Sequence, residues 1–349
     1  MFDYNYLKKA LIISGSIVLS TGMYACSQLQ AKMIRQPEQS RSSSIAANIT
    51  IANKIDVKTI SGHDDTIWSV AVNPEQDAIA TGSDDRTIKI WNSQTGALLR
   101  TIIGHTSGVL SVNFSPDGKQ IVSSDRDGNI RISQADTGEN IHTIKASEKA
   151  VRYVTYSPDG ENIVNSSWDN DIKIWNAETG ELINTLSGHT KGVYAVAISP
   201  DNQTIASVSQ DETIKFWDLN SGELIKSIEG HNDNIRTVAF HPNSEIIATG
   251  SADKTIKLWQ VETGKLIDTL SGHSQYLNSV AFNSDGTTLV SAAEDKTIKL
   301  WNSNDGTIIR TLSGSSTGVN SAVFGADDRS IFSGSAANDN KLRIWQAID

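Results

Sequence analysis

Side chains that could perform acid–base or nucleophilic chemistry recur along this chain in one arrangement. His63 is followed by Asp85, and the hydroxyl groups of Thr81 and Ser83 lie between them in the sequence. A hydroxyl, an imidazole and a carboxylate are the groups of a Ser-His-Asp hydrolase, in which the imidazole accepts the hydroxyl proton. The residue types therefore admit an acyl-transfer site, which has to be weighed against a structural role.

The arrangement repeats at a fixed step of 42 residues, which argues against catalysis. Gly-His pairs lie at 62–63, 104–105, 188–189, 230–231 and 272–273, and two further positions of the series hold Ala146-Ser147 and Gly314-Ser315. A catalytic triad occurs once in a domain, whereas a structural residue recurs with its repeat. We therefore predict no catalytic residue, no metal ligand and no cofactor. The two histidines outside the series, His142 and His241, have no partner motif.

Each repeat has the patterning of four short strands. In residues 61–102, four runs of β-favouring residues are separated by turn residues. The first run departs from strict alternation, because its apolar residues stand at Ile67, Val70 and Val72. One extra residue in a pattern of period two indicates a β-bulge, and the same irregularity recurs in later repeats.

The repeat signature extends over residues 55–349. An aspartate stands six residues before each Trp position, at Asp85, Asp127, Asp169, Asp211, Asp253, Asp295 and Asp339. Together with the Gly-His pairs and Trp217-Asp218, this pattern resembles the WD-repeat β-propeller family. The resemblance implies an all-β domain over residues 54–349, a seven-bladed propeller of four-stranded antiparallel blades. Residues 55–60 match the fourth-strand pattern and the last repeat has only three strands, so we predict that the N-terminal strand completes the last blade.

The resemblance also implies a hydrogen-bonded network inside each blade, which would satisfy buried polar groups and stiffen the blade. The predicted structural residues of the four complete repeats are His63, Asp85, Trp91, His189, Asp211, Trp217, His231, Asp253, Trp259, His273, Asp295 and Trp301. Three repeats are incomplete: the second has Ser133 in place of Trp, and the third and seventh have Ser147 and Ser315 in place of His. We expect these three blades to be the softer ones.

Charge excludes one class of partner. The chain has a formal net charge of −10, but residues 1–50 carry +3 and the remainder carries −13. An acidic body repels a phosphate backbone, so we expect no nucleic-acid partner. There is one cysteine, Cys26, which excludes an internal disulfide.

The N-terminal residues have the composition of an export signal. Residues 1–25 combine Lys8 and Lys9 with a short apolar run and small residues. Residues 23–26, Met-Tyr-Ala-Cys, resemble the lipobox of bacterial lipoproteins, which implies lipid attachment at Cys26. Residues 26–53 are rich in Ser, Gln and Ala, as in a flexible linker. The alternatives are an ordinary cleaved signal and an uncleaved anchor. Lipid attachment at Cys26 predicts an exported bacterial lipoprotein, anchored in a membrane and facing the periplasm or the cell surface.

The bulge position varies between repeats, unlike the positions around it. It holds Trp68, Leu110, Arg152, Tyr194, Arg236, Asn278 and Asn320, a set that we call the bulge ring. The resemblance to WD-repeat propellers implies that this position points to the narrow face around the central channel, where peptides bind in that family. We predict six partner-binding residues, called here the narrow-face residues: Trp68, Arg152, Trp168, Tyr194, Arg236 and Tyr276. The alternative is that the aromatic residues pack between blades and the arginines pair with acidic turns.

Three functions remain open from the sequence. The first is a monomeric, non-enzymatic scaffold that binds a protein or peptide, with the two arginines favouring an acidic partner. The second is a hydrolase or lyase that uses the central channel, and the third is a purely structural component of the cell envelope. The first is favoured because no His, Asp, Glu or Cys constellation occurs outside the repeat positions.

Overall fold

The computed structural model describes residues 54–75 and 77–348, and all their regular elements are strands. The chain enters with β1 (Lys54–Ile60). Blade 1 contains β2 (Ile67–Val72), β3 (Ala78–Ser83), β4 (Ile88–Asn92) and β5 (Leu98–Ile102); blade 2 contains β6 (Val109–Phe114), β7 (Gln120–Asp125), β8 (Asn129–Gln134) and β9 (Asn140–Lys145). Blade 3 contains β10 (Val151–Tyr156), β11 (Asn162–Ser167), β12 (Ile172–Asn176) and β13 (Leu182–Leu186); blade 4 contains β14 (Val193–Ile198), β15 (Thr204–Ser209), β16 (Thr213–Asp218) and β17 (Leu224–Glu229).

The later blades repeat the same order. Blade 5 contains β18 (Ile235–Phe240), β19 (Ile246–Ser251), β20 (Thr255–Gln260) and β21 (Leu266–Ser271); blade 6 contains β22 (Leu277–Phe282), β23 (Thr288–Ala293), β24 (Thr297–Asn302) and β25 (Ile308–Ser313). Blade 7 contains β26 (Val319–Phe324), β27 (Ser330–Ser335) and β28 (Leu342–Ile348). These sheets are antiparallel and form a seven-bladed β-propeller, which confirms the predicted fold class. In the part of the chain that is described, no helix is long and apolar enough to cross a membrane.

The propeller closes through β1. Strand β1 pairs antiparallel with β28, from Lys54 opposite Ile348 to Ile60 opposite Leu342. Blade 7 therefore has the strand order β1-β28-β27-β26 and contains strands from both ends of the described chain. This confirms the predicted closure, in which the N-terminal strand covers the edge that β28 would otherwise expose.

The hydrophobic core lies between neighbouring blades. Strand β3 is buried along its whole length, because both faces of its blade pack against other blades. One cluster joins Val109 and Val112 of blade 2 to Ile88 and Ile90 of blade 1. Each pair of neighbouring blades shares a cluster of this kind, including blade 7 with blade 1, so the ring of apolar contacts is continuous.

The predicted β-bulge is confirmed in every blade. The pairing of β2 with β3 shifts register between Ile67 and Ser69, which leaves Trp68 as the extra residue. The other six innermost strands shift at the equivalent position. A bulge changes the direction in which a side chain points, and here it sets the seven residues of the bulge ring apart from the residues that hold the ladder.

Candidate functional site

The complete blades contain a chain of hydrogen bonds around a buried hydroxyl. In blade 1, His63 Nδ1 lies 2.7 Å from Asp85 Oδ2, and His63 Nε2 lies 2.7 Å from Thr81 Oγ1. The indole of Trp91 donates from Nε1 to the same Thr81 oxygen, at 2.8 Å. The hydroxyl is therefore that of Thr81, while Ser83 Oγ donates to the carbonyl of Asp65. Blades 4, 5 and 6 repeat the arrangement around Ser207, Thr249 and Ser291.

The charges in this network are consistent with a neutral imidazole. Burial opposes ionisation of Asp253, but hydrogen bonds from His231 and Thr255 outweigh it and hold the pKa of that carboxyl well below its usual range. Burial lowers the pKa of His231. The ring then donates from Nδ1 to the carboxylate and accepts at Nε2 from Thr249. Since Thr249 is 0% exposed, its hydroxyl is a structural link with no access for a substrate.

Blade 2 uses a different aspartate from the one that the repeat spacing indicates. His105 Nδ1 lies 2.8 Å from Asp125 Oδ2, and its Nε2 lies 2.8 Å from Ser123 Oγ. Asp127, the repeat aspartate, is near the hydroxyl of Thr106 instead, at 3.3 Å. Asp125 takes the role because it stands at the end of β7, where the other blades have Ser or Ala, and is fully buried beside His105.

An arginine occupies the place of the missing indole in blade 2. A Cβ added to Gly62 of blade 1 would lie 2.5 Å from the indole of Trp91, whereas one added to Gly104 would lie 2.7 Å from Nη2 of Arg131. Nη1 of Arg131 also donates to the carbonyl of Gly104, at 3.0 Å. The substitution at Ser133 is therefore accompanied by a polar replacement for the ring.

We expect Ser133→Trp to lower the melting temperature rather than restore a stronger blade. The indole would compete with Arg131 for the space beside Gly104, and overpacking costs about 1–3 kcal/mol. The double change Ser133→Trp with Arg131→Lys, which recreates the Lys-Ile-Trp order of blade 1, is the matched control and should recover stability. A single variant that melts above the wild type would show that the space is free.

Blades 3 and 7 replace the imidazole with other donors. In blade 3, Ser147 Oγ donates to Asp169 at 2.8 Å, and Trp175 donates to Asn165 Oδ1 at 2.7 Å. In blade 7, Arg343 forks onto Asp339 with bonds of 2.6 and 3.0 Å. Burial opposes ionisation of Asp339, but the bonds from Arg343 outweigh it and lower its pKa to about 2. Each of these aspartates keeps a partner without the imidazole, and the softness expected of blades 2, 3 and 7 stays a prediction.

The bulge ring lines a central cavity. All seven of its residues border a space of about 480 Å³ enclosed by the innermost strands. Two amides tie neighbouring bulges together: Asn278 Nδ2 donates to the carbonyl of Val319 at 3.1 Å, and Asn320 Nδ2 donates to that of Ile67 at 3.0 Å. Within the described ranges, the residues that border the cavity include no Asp, Glu, His, Cys or Lys. Its charged side chains are Arg152 and Arg236, so the lining is purely cationic.

Trp68 belongs to the first of two clusters on the face that carries the Gly-His loops. Its Nε1 donates to Asp84 Oδ2 at 2.7 Å, and the Arg126 guanidinium forks onto the same carboxylate at 2.7 and 2.8 Å. Arg152 Cζ lies 5.0 Å from the centre of the Trp68 ring, and Arg126 Cζ lies 5.3 Å from it. Asp84 therefore fixes both the tryptophan and one of the two cations that lie against it.

The second cluster is centred on Arg236. Its Nη2 donates to Asn278 Oδ1 at 2.9 Å and its Nη1 to the hydroxyl of Tyr194 at 3.4 Å. Its Cζ lies 5.0 Å from the ring centre of Tyr194 and 4.6 Å from that of Tyr276. Nε of Arg236 is buried without a hydrogen-bond partner among the described residues. The arrangement presents a cation held between two aromatic rings.

The six narrow-face residues thus divide in space. Trp68 and Arg152 form one contact pair, and Tyr194, Arg236 and Tyr276 form another group. Trp168 is 40% exposed and packs over Gly192 of the next blade. The alternative reading, in which arginines pair with acidic turns, holds for Arg126, which pairs with Asp84. Neither of these residues was singled out from the sequence. Asp84 and Arg126 were detectable, because they occupy the position of Trp168 in blades 1 and 2, one residue before Asp85 and Asp127.

Within the described residues, no group of three or more His, Cys, Asp or Glu side chains is arranged to hold a metal ion. The histidines outside the network have other contacts. His142 Nε2 lies 2.7 Å from the carbonyl of Glu178, and His241 packs edge-on against Phe282. Neither belongs to a cluster with catalytic geometry.

Comparison with known families identifies the repeats. Residues 222–260, 264–302 and 306–346 match the WD40 family, described as WD domain, G-beta repeat. Residues 67–230 match a family described as Echinoderm microtubule-associated protein second beta-propeller. WD40 repeats and a β-propeller family are therefore both present, as the resemblance implied.

The curated relatives match over a stretch about as long as one repeat. Eukaryotic translation initiation factor 3 subunit I of Phaeosphaeria nodorum is 44% identical over 43 residues, which is 12% of this chain and 13% of that protein. A probable cytosolic Fe-S cluster assembly factor of Schizosaccharomyces japonicus is 45% identical over 42 residues, 12% of this chain and 7% of that protein. These relatives are eukaryotic, so the bacterial lipoprotein prediction rests on residues 1–53 alone, which lie outside the described residues.

Proposed function

We propose that this propeller with WD40 repeats is a non-enzymatic scaffold whose narrow face binds a protein or peptide bearing acidic side chains. The proposal depends on one observation: Arg152 and Arg236 lie against aromatic rings at the cavity and make no ion pair with any described carboxylate. Proteins of the WD40 propeller family are typically protein-interaction scaffolds. Aromatic rings and arginines are also the residues that most often dominate binding energy at interfaces.

The alternative of a channel enzyme has less support. Hydrolases and lyases need acids, bases or metal ligands that converge on the substrate. The described lining of the cavity offers guanidinium, amide, hydroxyl and apolar groups, and the hydroxyls of the His-Asp networks are buried inside the blades. The matched relatives are similar to this chain over the length of about one repeat, and they have different names. Those names therefore assign neither a partner nor a reaction to this chain.

Replacing Arg152 and Arg236 together by Ala should weaken binding of a purified partner by about 2 kcal/mol or more, because both lie against aromatic rings at the cavity. The affinity of the wild type should also fall as salt is added. Isothermal titration measures both effects. The matched control is Arg100→Ala with Lys119→Ala, which removes the same charge from the outer strand β5 and the opposite turn. If the variant that lacks Arg152 and Arg236 binds the partner as tightly as the wild type does, and replacement of Trp68 and Trp168 also has no effect, the partner uses another surface.

We also propose that the propeller is exported and anchored to a bacterial membrane by lipid at Cys26, for which the residues 23–26 are the support. Labelled fatty acid should be incorporated into the wild type in a bacterial host and not into Cys26→Ser. The matched variant Ser27→Ala should keep the label. A mature protein that begins after Cys26 would instead establish an ordinary cleaved signal, and a retained N-terminus would establish an uncleaved anchor.

A further inference from the structure

Arg152 is a partly buried cation for which no described residue provides a counter-ion. It is the bulge residue of β10 and borders the central cavity. Its contact is the face of Trp68, and no described residue gives it a hydrogen bond or an ion pair. Arg126 and Arg343, by contrast, each fork onto a carboxylate. A partly desolvated cation without a partner costs stability, and the buried Arg343 avoids that cost through Asp339.

A second cation faces the same space. Arg236 uses its two Nη atoms on Tyr194 and Asn278, and its buried Nε has no acceptor in the part of the chain that is described. Burial, and next the charge of Arg236, lower the pKa of Arg152 to about 10. The two guanidinium groups therefore repel each other across a cavity that contains no described acidic side chain. An anion between them would relieve the repulsion and give the Arg152 guanidinium the acceptors that no described residue provides.

The surrounding side chains limit what the anion can be. Asp84 accepts hydrogen bonds from the Arg126 guanidinium and from the indole N–H of Trp68, so these two donors are not available to a ligand. Among the described residues, the unpartnered donors that can reach a ligand are those of the Arg152 guanidinium, whereas the unpaired Nε of Arg236 is buried and contributes only the charge of its side chain. One planar carboxylate accepts a guanidinium fork on its two oxygens. A phosphate group would leave more of its oxygens without a donor.

We propose that Arg152 and Arg236 form a carboxylate-binding site inside the cavity, occupied by a Glu or Asp side chain that a protein partner inserts past Trp68. The inference rests on the proposed function and deepens it by naming the group that is recognised. The cavity of about 480 Å³ admits a side chain and its adjoining backbone. Arg152 is the main anion-binding residue, while Tyr194, Tyr276 and Asn278 position Arg236.

The test uses the full chain and a small probe, N-acetylglutamate α-methylamide, with the glutamine analogue as its uncharged match. At constant ionic strength, the glutamate probe should raise the Tm of the wild type with a Kd of about 1–10 mM, and the glutamine probe should not. Arg152→Lys should weaken the response roughly tenfold, because an ammonium group has the charge but not the fork. Arg152→Met should abolish it.

Arg152→Met has a second expected effect, of opposite sign. Without probe, this variant should melt about 2 °C above the wild type, because a methionine removes an uncompensated charge at similar volume. Arg100→Met on the outer strand is the control and should leave both the Tm and the probe response as they are in the wild type. Loss of the response together with a lower Tm would indicate damage to the fold, and Arg152→Lys then decides: a full response in that variant overturns the proposal.

Three other outcomes also overturn it. One is a Tm shift that is equal for the two probes, and another is a wild-type response that persists in Arg152→Met. The third is stabilisation by inorganic phosphate and not by the glutamate probe, which would replace the carboxylate with a phosphoryl ligand. The proposed function fails separately: a partner that binds without regard to Arg152, Arg236, Trp68 and Trp168 contradicts the scaffold proposal even if the glutamate probe binds.

Discussion

Deleting residues 54–60 should lower the free energy of unfolding by several kcal/mol, the largest effect expected for a short deletion in this chain. The deletion removes a seven-residue ladder between β1 and β28 and the partly buried side chains of Ile55 and Ile60. It also exposes the edge of β28 and opens the one blade that joins the two ends of the ring. The loss combines apolar burial with backbone hydrogen bonds. Urea denaturation followed by tryptophan fluorescence measures it.

Two point variants separate the role of the strand from a general effect of shortening the chain. Ile60 packs against the cluster of Ile67 and Trp91 that joins blades 7 and 1, whereas Thr59 is exposed. Ile60→Asp should therefore destabilise strongly, and Thr59→Asp should change the unfolding free energy by less than about 0.5 kcal/mol. A deletion variant with the denaturation midpoint of the wild type would mean that the ring is held closed without β1.

Thr249→Val should destabilise the protein by about 2–4 kcal/mol, because one hydroxyl satisfies two buried groups of blade 5. Thr249 Oγ1 lies 2.8 Å from His231 Nε2 and accepts the N–H of Trp259 at 2.8 Å. Valine has nearly the same shape, so packing is retained while an imidazole nitrogen and an indole N–H lose their partner. Each unsatisfied buried group costs about 1–3 kcal/mol.

The chain supplies the matched control for this variant. Blades 4 and 6 use Ser207 and Ser291 at the position of Thr249, with the same bonds to their His and Trp. Thr249→Ser keeps the hydroxyl and should cost only the transfer of one methyl group, about 1 kcal/mol. If Val and Ser variants are equally stable, the network contributes nothing beyond packing, and the structural role assigned to the His, Asp and Trp residues is wrong.

Much of the fold was predictable because it depends on local patterns. The 42-residue step sets the number of blades, and the break in alternation at Ile67 and Val70 predicts the bulge that the register shift at Trp68 confirms. The fourth-strand pattern before Gly62 predicts the pairing of β1 with β28. Such features are readable because strand period, turn residues and repeat length act over a few neighbouring residues.

Partner choice inside the blades was only partly readable. Spacing placed a hydroxyl between His63 and Asp85 but left Thr81 and Ser83 as alternatives, and the side-chain directions on β3 select Thr81. In blade 2 the spacing indicated Asp127, whereas His105 contacts Asp125. Both residues are aspartates two positions apart, so residue type could not distinguish them. The distance to the imidazole does.

The sequence by itself therefore determined the all-β class, the seven repeats, the bulge ring and the variable aromatic and arginine residues on it. Only the tertiary structure decided which cations are neutralised. Arg126 and Arg152 lie 26 residues apart and have the same charge, yet Asp84 pairs with Arg126, and Arg152 contacts the ring of Trp68 without a counter-ion among the described side chains. Pairing of this kind depends on contacts between blades, where a distance of a few ångströms separates an ion pair from an unpaired charge. Repeat spacing does not carry that distance.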